Sequence, residues 1–333
     1  MSWIISPLIS AIISYLIFSI LQRNILYAMN PTEATKKFLP LLVFIVFGTF
    51  SLSLIFNGLK NLDLSVSFFE ALGISIAIGI IASAITYFFV RRIPLPEIDH
   101  LPPSRFLPQT VVSLEKAIKH LQRVQVASTE ATHEKVSHLL DEVRELSHQM
   151  RQKTSFSERT SEYRYVEKMF VYLQIMSACF VAFAHGANDV ANAIGPVAAV
   201  LDVIKNGMIP NVSVVPLWLL AFGGLGIVVG LATWGWRVIE TIGKKITELT
   251  PTRGFCAEFG AATTILIASK LGLPISTTHC LVGAVLGVGL ARGMRAINLN
   301  MLRDIALSWV ITLPASAVMS ILLFYALRAI FIT

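Results

Sequence analysis

Seven stretches of this chain are apolar over a length that suits a membrane-spanning helix, and this constrains the fold more than any other feature. About 30 Å of hydrocarbon requires about 20 consecutive apolar residues in a helix. Of the 333 residues, 55% are hydrophobic and 14% are charged, which predicts an all-α polytopic membrane protein. The predicted spans are Trp3–Leu21, Phe38–Phe56, Phe68–Val90, Met169–Val203, Pro216–Ile239, Gly254–Leu290 and Ile305–Ile330.

Basic residues cluster in loops that would share one face of the membrane. Arg91 and Arg92 end the third span, and Lys244 and Lys245 follow the fifth. The positive-inside rule makes this face cytoplasmic and places both termini on the other side. The net charge of +7 therefore indicates orientation in a cell membrane, inner or plasma, and gives no reason to expect a nucleic-acid partner.

The fourth span contains a polar motif between His185 and Pro196. An aspartate at the centre of a membrane helix costs about 2.5–3.5 kcal/mol, so such residues are usually functional. The glycines and the proline of the motif predict a broken helix that lines a polar site. Carboxylate and amide oxygens suit Na⁺ or a proton relay, and two further polar residues lie in neighbouring apolar sequence. The predicted cation-binding residues are Asn188, Asp189, Asn192, Gln174 and Glu258.

A second polar cluster interrupts the sixth span. Gly272 and Pro274 should end one helix, and Ser276 or Thr277 should cap the next, which predicts a split or re-entrant helix. Such a helix start offers free N–H groups, the positive end of the helix dipole and hydroxyls, which together suit an oxyanion such as phosphate. A co-bound cation would offset the anion's charge, which is a physical reason for symport. The predicted phosphate-binding hydroxyls are those of Ser276, Thr277 and Thr278.

The two ends of the chain resemble each other. Residues 2–21 and 308–327 share nine identities over twenty positions at an offset of 306, including Trp3 and Trp309. The charge pattern orients the two copies oppositely, which predicts an inverted-repeat transporter. First-repeat equivalents of the polar motifs would precede Met1, so we expect a chain that is truncated or completed by a separate polypeptide.

The segment 93–168 differs from the apolar sequence around it. A proline-rich connector is followed by charged sequence with apolar residues at helical spacing, which predicts two amphipathic helices. Five of the seven histidines lie here, and their spacing favours a solvated surface over a metal site. The predicted organisation is three spans that end the first repeat (1–92), a cytoplasmic helical insert (93–168) and a second inverted repeat (169–333).

The motifs resemble those of the inorganic phosphate transporter (PiT) family of cation–phosphate symporters. The resemblance rests on Ala184–Pro196, Pro274–Val285 and Leu249–Phe255, and it reaches nearly the whole chain outside the insert. It implies two inverted repeats, each with one Asn-Asp motif and one Ser-Thr-Thr turn. It also implies that Asp189 contacts phosphate as well as the cation. This chain carries each motif once, where the family pattern has each twice.

The sequence thus predicts symport of inorganic phosphate with Na⁺ or H⁺, by a chain that could be inactive alone because the first-repeat motifs are missing. No cofactor is expected, and no metal beyond a possible Na⁺. The expected partners are phosphate, the lipid bilayer, and a second copy or an N-terminal half. A permease for sulfate or a related oxyanion is one alternative, and a non-transporting remnant or scaffold that acts through the insert is another. Motifs typical of enzymes are missing from the sequence, so an enzyme is not expected.

Overall fold

The computed structural model describes residues 2–28, 30–55, 67–92, 130–157, 161–207 and 215–331, together with a few positions between 114 and 125. Short π-helical turns extend or join some of the helices, as at Gln22–Leu26, Leu231–Gly235 and Ile242–Ile246. The helices are α1 (Ser2–Leu21), α2 (Pro31–Ser53), α3 (Phe68–Arg91), α4 (Glu130–Ser157), α5 (Ser161–Asn206), α6 (Leu217–Gly230), α7 (Trp236–Thr241), α8 (Pro251–Lys270), α9 (Thr277–Arg292) and α10 (Leu299–Phe331).

Within the described residues, six helical stretches are long and apolar enough to cross a membrane. They correspond to the predicted spans other than Gly254–Leu290, with bounds that differ by several residues. That interrupted span forms the shorter pair α8 and α9. The prediction of an all-α, multi-pass membrane protein is confirmed. The spanning stretches are Ile4–Leu26, Pro31–Ser53, Phe68–Arg91, Tyr163–Asn206, Leu217–Ile246 and Leu299–Phe331.

The predicted break in the fourth span is wrong. Helix α5 runs through the whole polar motif as one helix of 46 residues, about 69 Å long, with Pro196 inside it. Gly186 and Gly195 are not among the glycines with positive φ, so neither turns the chain. The physical reason is that lipid offers no water to the backbone groups that a break would free, whereas Pro196 removes only one donor. Helix α5 also begins at Ser161, within the segment assigned to the insert.

The break between α8 and α9 forms where the sequence predicted it. Gly272 has φ of +66°, a conformation that glycine adopts without a side-chain penalty. Its N–H donates to the Ser269 carbonyl at 3.1 Å, and the Leu273 N–H donates to the Ala268 carbonyl at 2.9 Å. This pair of hydrogen bonds is a Schellman motif, which satisfies the last carbonyls of α8. Pro274 then prevents the helix from resuming at once.

Helix α1 packs tightly on α9 and also contacts α8. Gly283 and Gly287 of α9 lie directly against the α1 backbone, so that neither position has room for a Cβ atom. The Ser14 hydroxyl donates to the Ala284 carbonyl at 2.7 Å across this contact. Small residues that let two backbones approach are the usual way in which helices associate in lipid.

Of the described side chains of helix α10, those near its start are packed. Met301, Ile305 and Trp309 lie one turn apart and contact the buried core formed mainly by α1, α2, α5, α8 and α9. The Trp309 ring also stacks on His279 of α9, with 3.8 Å between the ring centroids. From Val310 onwards the described side chains of α10 are exposed.

The insert is described mainly by α4. This helix is amphipathic, as predicted, but its buried face contains Val136 and Leu140 while Leu139 and Leu146 are exposed. Residues 120–125 are helical as well, and Gln125 donates a hydrogen bond to Ser137 at 2.7 Å. The proline-rich connector at 94–108 and its histidine, His100, lie outside the described residues.

Candidate functional site

The asparagines of the polar motif form a chain of hydrogen bonds along α5. Asn188 is 6% exposed, and its Nδ2 donates to the Ser269 hydroxyl near the end of α8 at 3.2 Å. One turn further along α5, Asn192 Nδ2 donates to Asn188 Oδ1 at 3.0 Å. Asn188 is thereby held between two helices, close to the turn that separates α8 from α9.

Asp189 connects α5 with the start of α9. Its Oδ2 lies 2.7 Å from Nε2 of His185, one turn earlier on the same helix. The Thr277 hydroxyl donates to both carboxylate oxygens of Asp189, at 3.2 and 3.3 Å. The structure therefore joins the two polar motifs, 88 residues apart in the chain, into one site.

The start of α9 has the capped form that the sequence predicted. The Ser276 hydroxyl accepts a hydrogen bond from the His279 N–H at 3.3 Å. In any helix the first N–H groups have no acceptor within the helix, and here they belong to Thr277 and Thr278. Thr277 is buried and Thr278 exposed, so the three predicted hydroxyls do not form one cluster on Asp189.

Gln174 and Glu258 lie in a different cluster. The Ser177 hydroxyl lies within hydrogen-bonding distance of Glu258 Oε2, at 2.6 Å, and of the Gln174 carbonyl oxygen, at 2.8 Å. On the continuous helix α5, Gln174 is about 21 Å from Asn188 along the axis. The structure does not bring these two residues to the Asn-Asp motif, and their role in cation binding stays a prediction.

Sequence reasoning missed several polar contacts between helices. Ser177 could have been found, because it lies three residues after Gln174 and thus on the same helix face. Ser269 and Glu167 could not, since each pairs with a residue more than 80 positions away. Both Glu167 carboxylate oxygens accept hydrogen bonds from Thr252, from its N–H and from its hydroxyl, each at 2.8 Å. Glu167, which lies on α5, thus caps the N-terminus of α8.

The joined site can attract a cation and an anion together, and it disfavours an anion alone. Asp189 is about one third exposed, as is His185, so both face accessible space. At 4 Å the carboxylate would repel a singly charged anion by about 4 kcal/mol if the effective dielectric constant is about 20. The free N–H groups of α9 offset part of this cost. A cation placed between the carboxylate and the anion would remove the rest.

Comparison with known proteins gives consistent matches along the chain. A sequence profile of the phosphate transporter family matches residues 1–320. A putative phosphate permease of Chlamydia pneumoniae is 44% identical over 330 residues, which are 99% of this chain and 67% of that protein. The chloroplastic inorganic phosphate transporter 2-1 of Arabidopsis thaliana is 41% identical over 323 residues, 96% of this chain and 48% of that protein.

A solved structure has a similar fold. It is a sodium-dependent phosphate transporter, 33% identical in sequence, and it superposes with a TM-score of 0.66 over 99% of this chain and 66% of that chain. This chain spans about two thirds of the bacterial permease and about half of the plant transporter. The matched proteins are transporters and permeases, which confirms the prediction that the chain is not an enzyme. By its sequence and its fold, the chain belongs to the phosphate transporter family.

Proposed function

We propose that the protein carries inorganic phosphate across a cell membrane by symport with a cation, and that the cation is Na⁺. The hydrogen bonds between Thr277 and Asp189 carry the proposal, because they join a carboxylate to a helix start whose N–H groups suit an anion. Phosphate bound at the start of α9 would leave that carboxylate in need of a counter-charge. Na⁺ between the two would bind tightly only when phosphate is present, which couples their movement.

The choice of Na⁺ over H⁺ is supported by a protein of similar structure. The structural relative is named as a sodium-dependent transporter. Carboxylate and amide oxygens, such as those of Asp189 and Asn192, are suitable Na⁺ ligands at a membrane site. In this proposal residues 93–168 lie on the cytoplasmic side, and a second pair of motifs completes the site.

The proposal predicts that Asp189→Asn abolishes Na⁺-driven uptake of labelled phosphate into proteoliposomes without reducing membrane insertion. The amide keeps the shape of the side chain but removes the charge that holds the cation. Asp202→Asn, further along the same helix, is the matched control and should transport like the parent protein. Uptake by Asp189→Asn at the parental rate would contradict the assignment.

Binding is measured separately, because a chain that binds its substrates need not transport them alone. Isothermal titration of the parent protein with phosphate should give a heat that grows with Na⁺ and is weak in choline. Ser276→Ala combined with Thr277→Val should weaken phosphate binding, while Thr233→Val, at an exposed threonine, should not. Equal binding in Na⁺ and choline would argue against Na⁺ coupling. Equal competition by sulfate would favour a general oxyanion permease.

A further inference from the structure

A large apolar groove lies away from the Asn-Asp site, between α2, α3 and α5. Its volume is about 600 Å³, within the range of about 300–1,000 Å³ that small-molecule sites occupy. The side chains that form its walls include Val43 and Phe47 of α2, Ile85 and Phe89 of α3, and Met169 and Met176 of α5.

The groove lies at the end of α3 and the beginning of α5. It uses the last turns of α3 as far as Val90, the beginning of α5 from Tyr165 onwards, and the middle of α2 from Leu39 to Phe47. The distribution of basic residues places these ends on the cytoplasmic side. From Lys168 to Met176 the groove runs about 12 Å along α5, close to the thickness of half of the hydrocarbon layer. It therefore has the position and the depth of a single lipid leaflet.

Positive charge marks the outer end of the groove. Of the described residues that line it, Lys168 is the charged one, and its side chain is exposed. Lys168 Nζ lies 5.8 Å from the centre of the ring of Tyr165, which also lines the groove. Aromatic rings that hold basic groups in this way are typical of the membrane–water interface.

We propose that this groove binds an anionic phospholipid of the cytoplasmic leaflet. One acyl chain lies along the apolar wall between α3 and α5, and the phosphate of the headgroup pairs with Lys168. An apolar slot that ends in a basic group matches a lipid with a negative headgroup, because each part meets its chemical complement. A free phosphate ion would leave the apolar length of the groove unused.

The first test is native mass spectrometry of the full chain in detergent with dioleoyl phosphatidylglycerol or dioleoyl phosphatidylcholine. The parent protein should retain the anionic lipid in preference to the zwitterionic one, and excess inorganic phosphate should not displace it. Lys168→Gln should weaken retention of phosphatidylglycerol about five-fold, the usual effect of one basic residue at an anionic surface. Lys168→Arg should restore it. Lys245→Gln, at another exposed lysine of the same predicted face, should leave retention unchanged.

The second test locates the acyl chain. Phosphatidylglycerol with a photoreactive group near the end of its chain should label peptides from 39–47 and 169–176 more strongly than peptides from the exposed part of α10. Equal labelling of α10 would show ordinary lipid contact, and unlabelled groove peptides would show that protein fills the groove. Either result would overturn the proposal, as would equal retention of the two lipids or unchanged retention by Lys168→Gln.

Discussion

Helices α1 and α10 carry the same pattern of residues and have opposite environments. Phe18 of α1 is 1% exposed, whereas Phe324, its counterpart at an offset of 306, is 60% exposed. Ser10 and Ser14 are fully buried, and their counterparts in α10 are exposed. The pattern itself therefore does not determine burial. In a membrane, lipid is as apolar as the protein interior. An apolar helix is therefore stable whether it packs inside the protein or faces lipid.

The difference between the two helices is the surface opposite each of them. Helix α1 faces Gly283 and Gly287, which let its backbone approach closely enough for the Ser14 hydroxyl to reach a carbonyl of α9. Within the described residues, α10 beyond Trp309 has no such glycine surface against it. Close approach needs small residues on one helix and a matching face on the other, and the pair of α9 and α1 provides both.

The largest effect is expected from Gly283→Ala, which should separate α1 from α9. A Cβ atom there would overlap the backbone of Pro7, and backbone cannot turn aside as a flexible side chain can. We expect a loss of about 3 kcal/mol of unfolding free energy, the upper end for overpacking, measured by SDS unfolding in mixed micelles. The control is Gly226→Ala, where a Cβ atom would meet nothing within 4 Å, and it should not destabilise the protein. An unchanged stability of Gly283→Ala would mean that the close contact does not exist.

A second comparison replaces the matched phenylalanines. Phe18→Ala should cost about 2 kcal/mol, less than the roughly 3–5 kcal/mol of a water-soluble core, because the unfolded side chain stays in lipid. Phe324→Ala should change the unfolding free energy by less than about 0.5 kcal/mol. Similar losses from the two variants in the same micelle assay would show that α10 is packed as closely as α1.

The smallest effect is expected at the matched serines. Ser14→Ala removes the hydrogen bond to Ala284, and such bonds between membrane helices are worth about 0.6 kcal/mol on average. Ser320→Ala removes an exposed hydroxyl and should have no measurable effect. A double variant with Gly283→Ala sharpens the comparison: once the helices are apart, Ser14→Ala should cost nothing further.

The parts of the fold that depend on local chemistry could be predicted from the sequence. The turn at Gly272 and Pro274 and the cap at Ser276 were found because each needs a particular residue type at one position. The continuous α5 was mispredicted, because Gly186 and Pro196 end helices in water more readily than in lipid. Contacts between distant segments, such as Asn188 with Ser269, leave no local signal. The union of Asp189 with Thr277 was likewise visible only in three dimensions.

The unbroken length of α5 connects two distant parts of the molecule. Lys168 and Asp189 lie on the same rod about 32 Å apart, close to the thickness of the hydrocarbon layer. A tilt of about 10° pivoting at Lys168 would move Asp189 by about 5 Å, farther than its hydrogen bonds to Thr277 can stretch. The position of α5 at Lys168 is therefore coupled to the contact between the Asp189 carboxylate and the Thr277 hydroxyl.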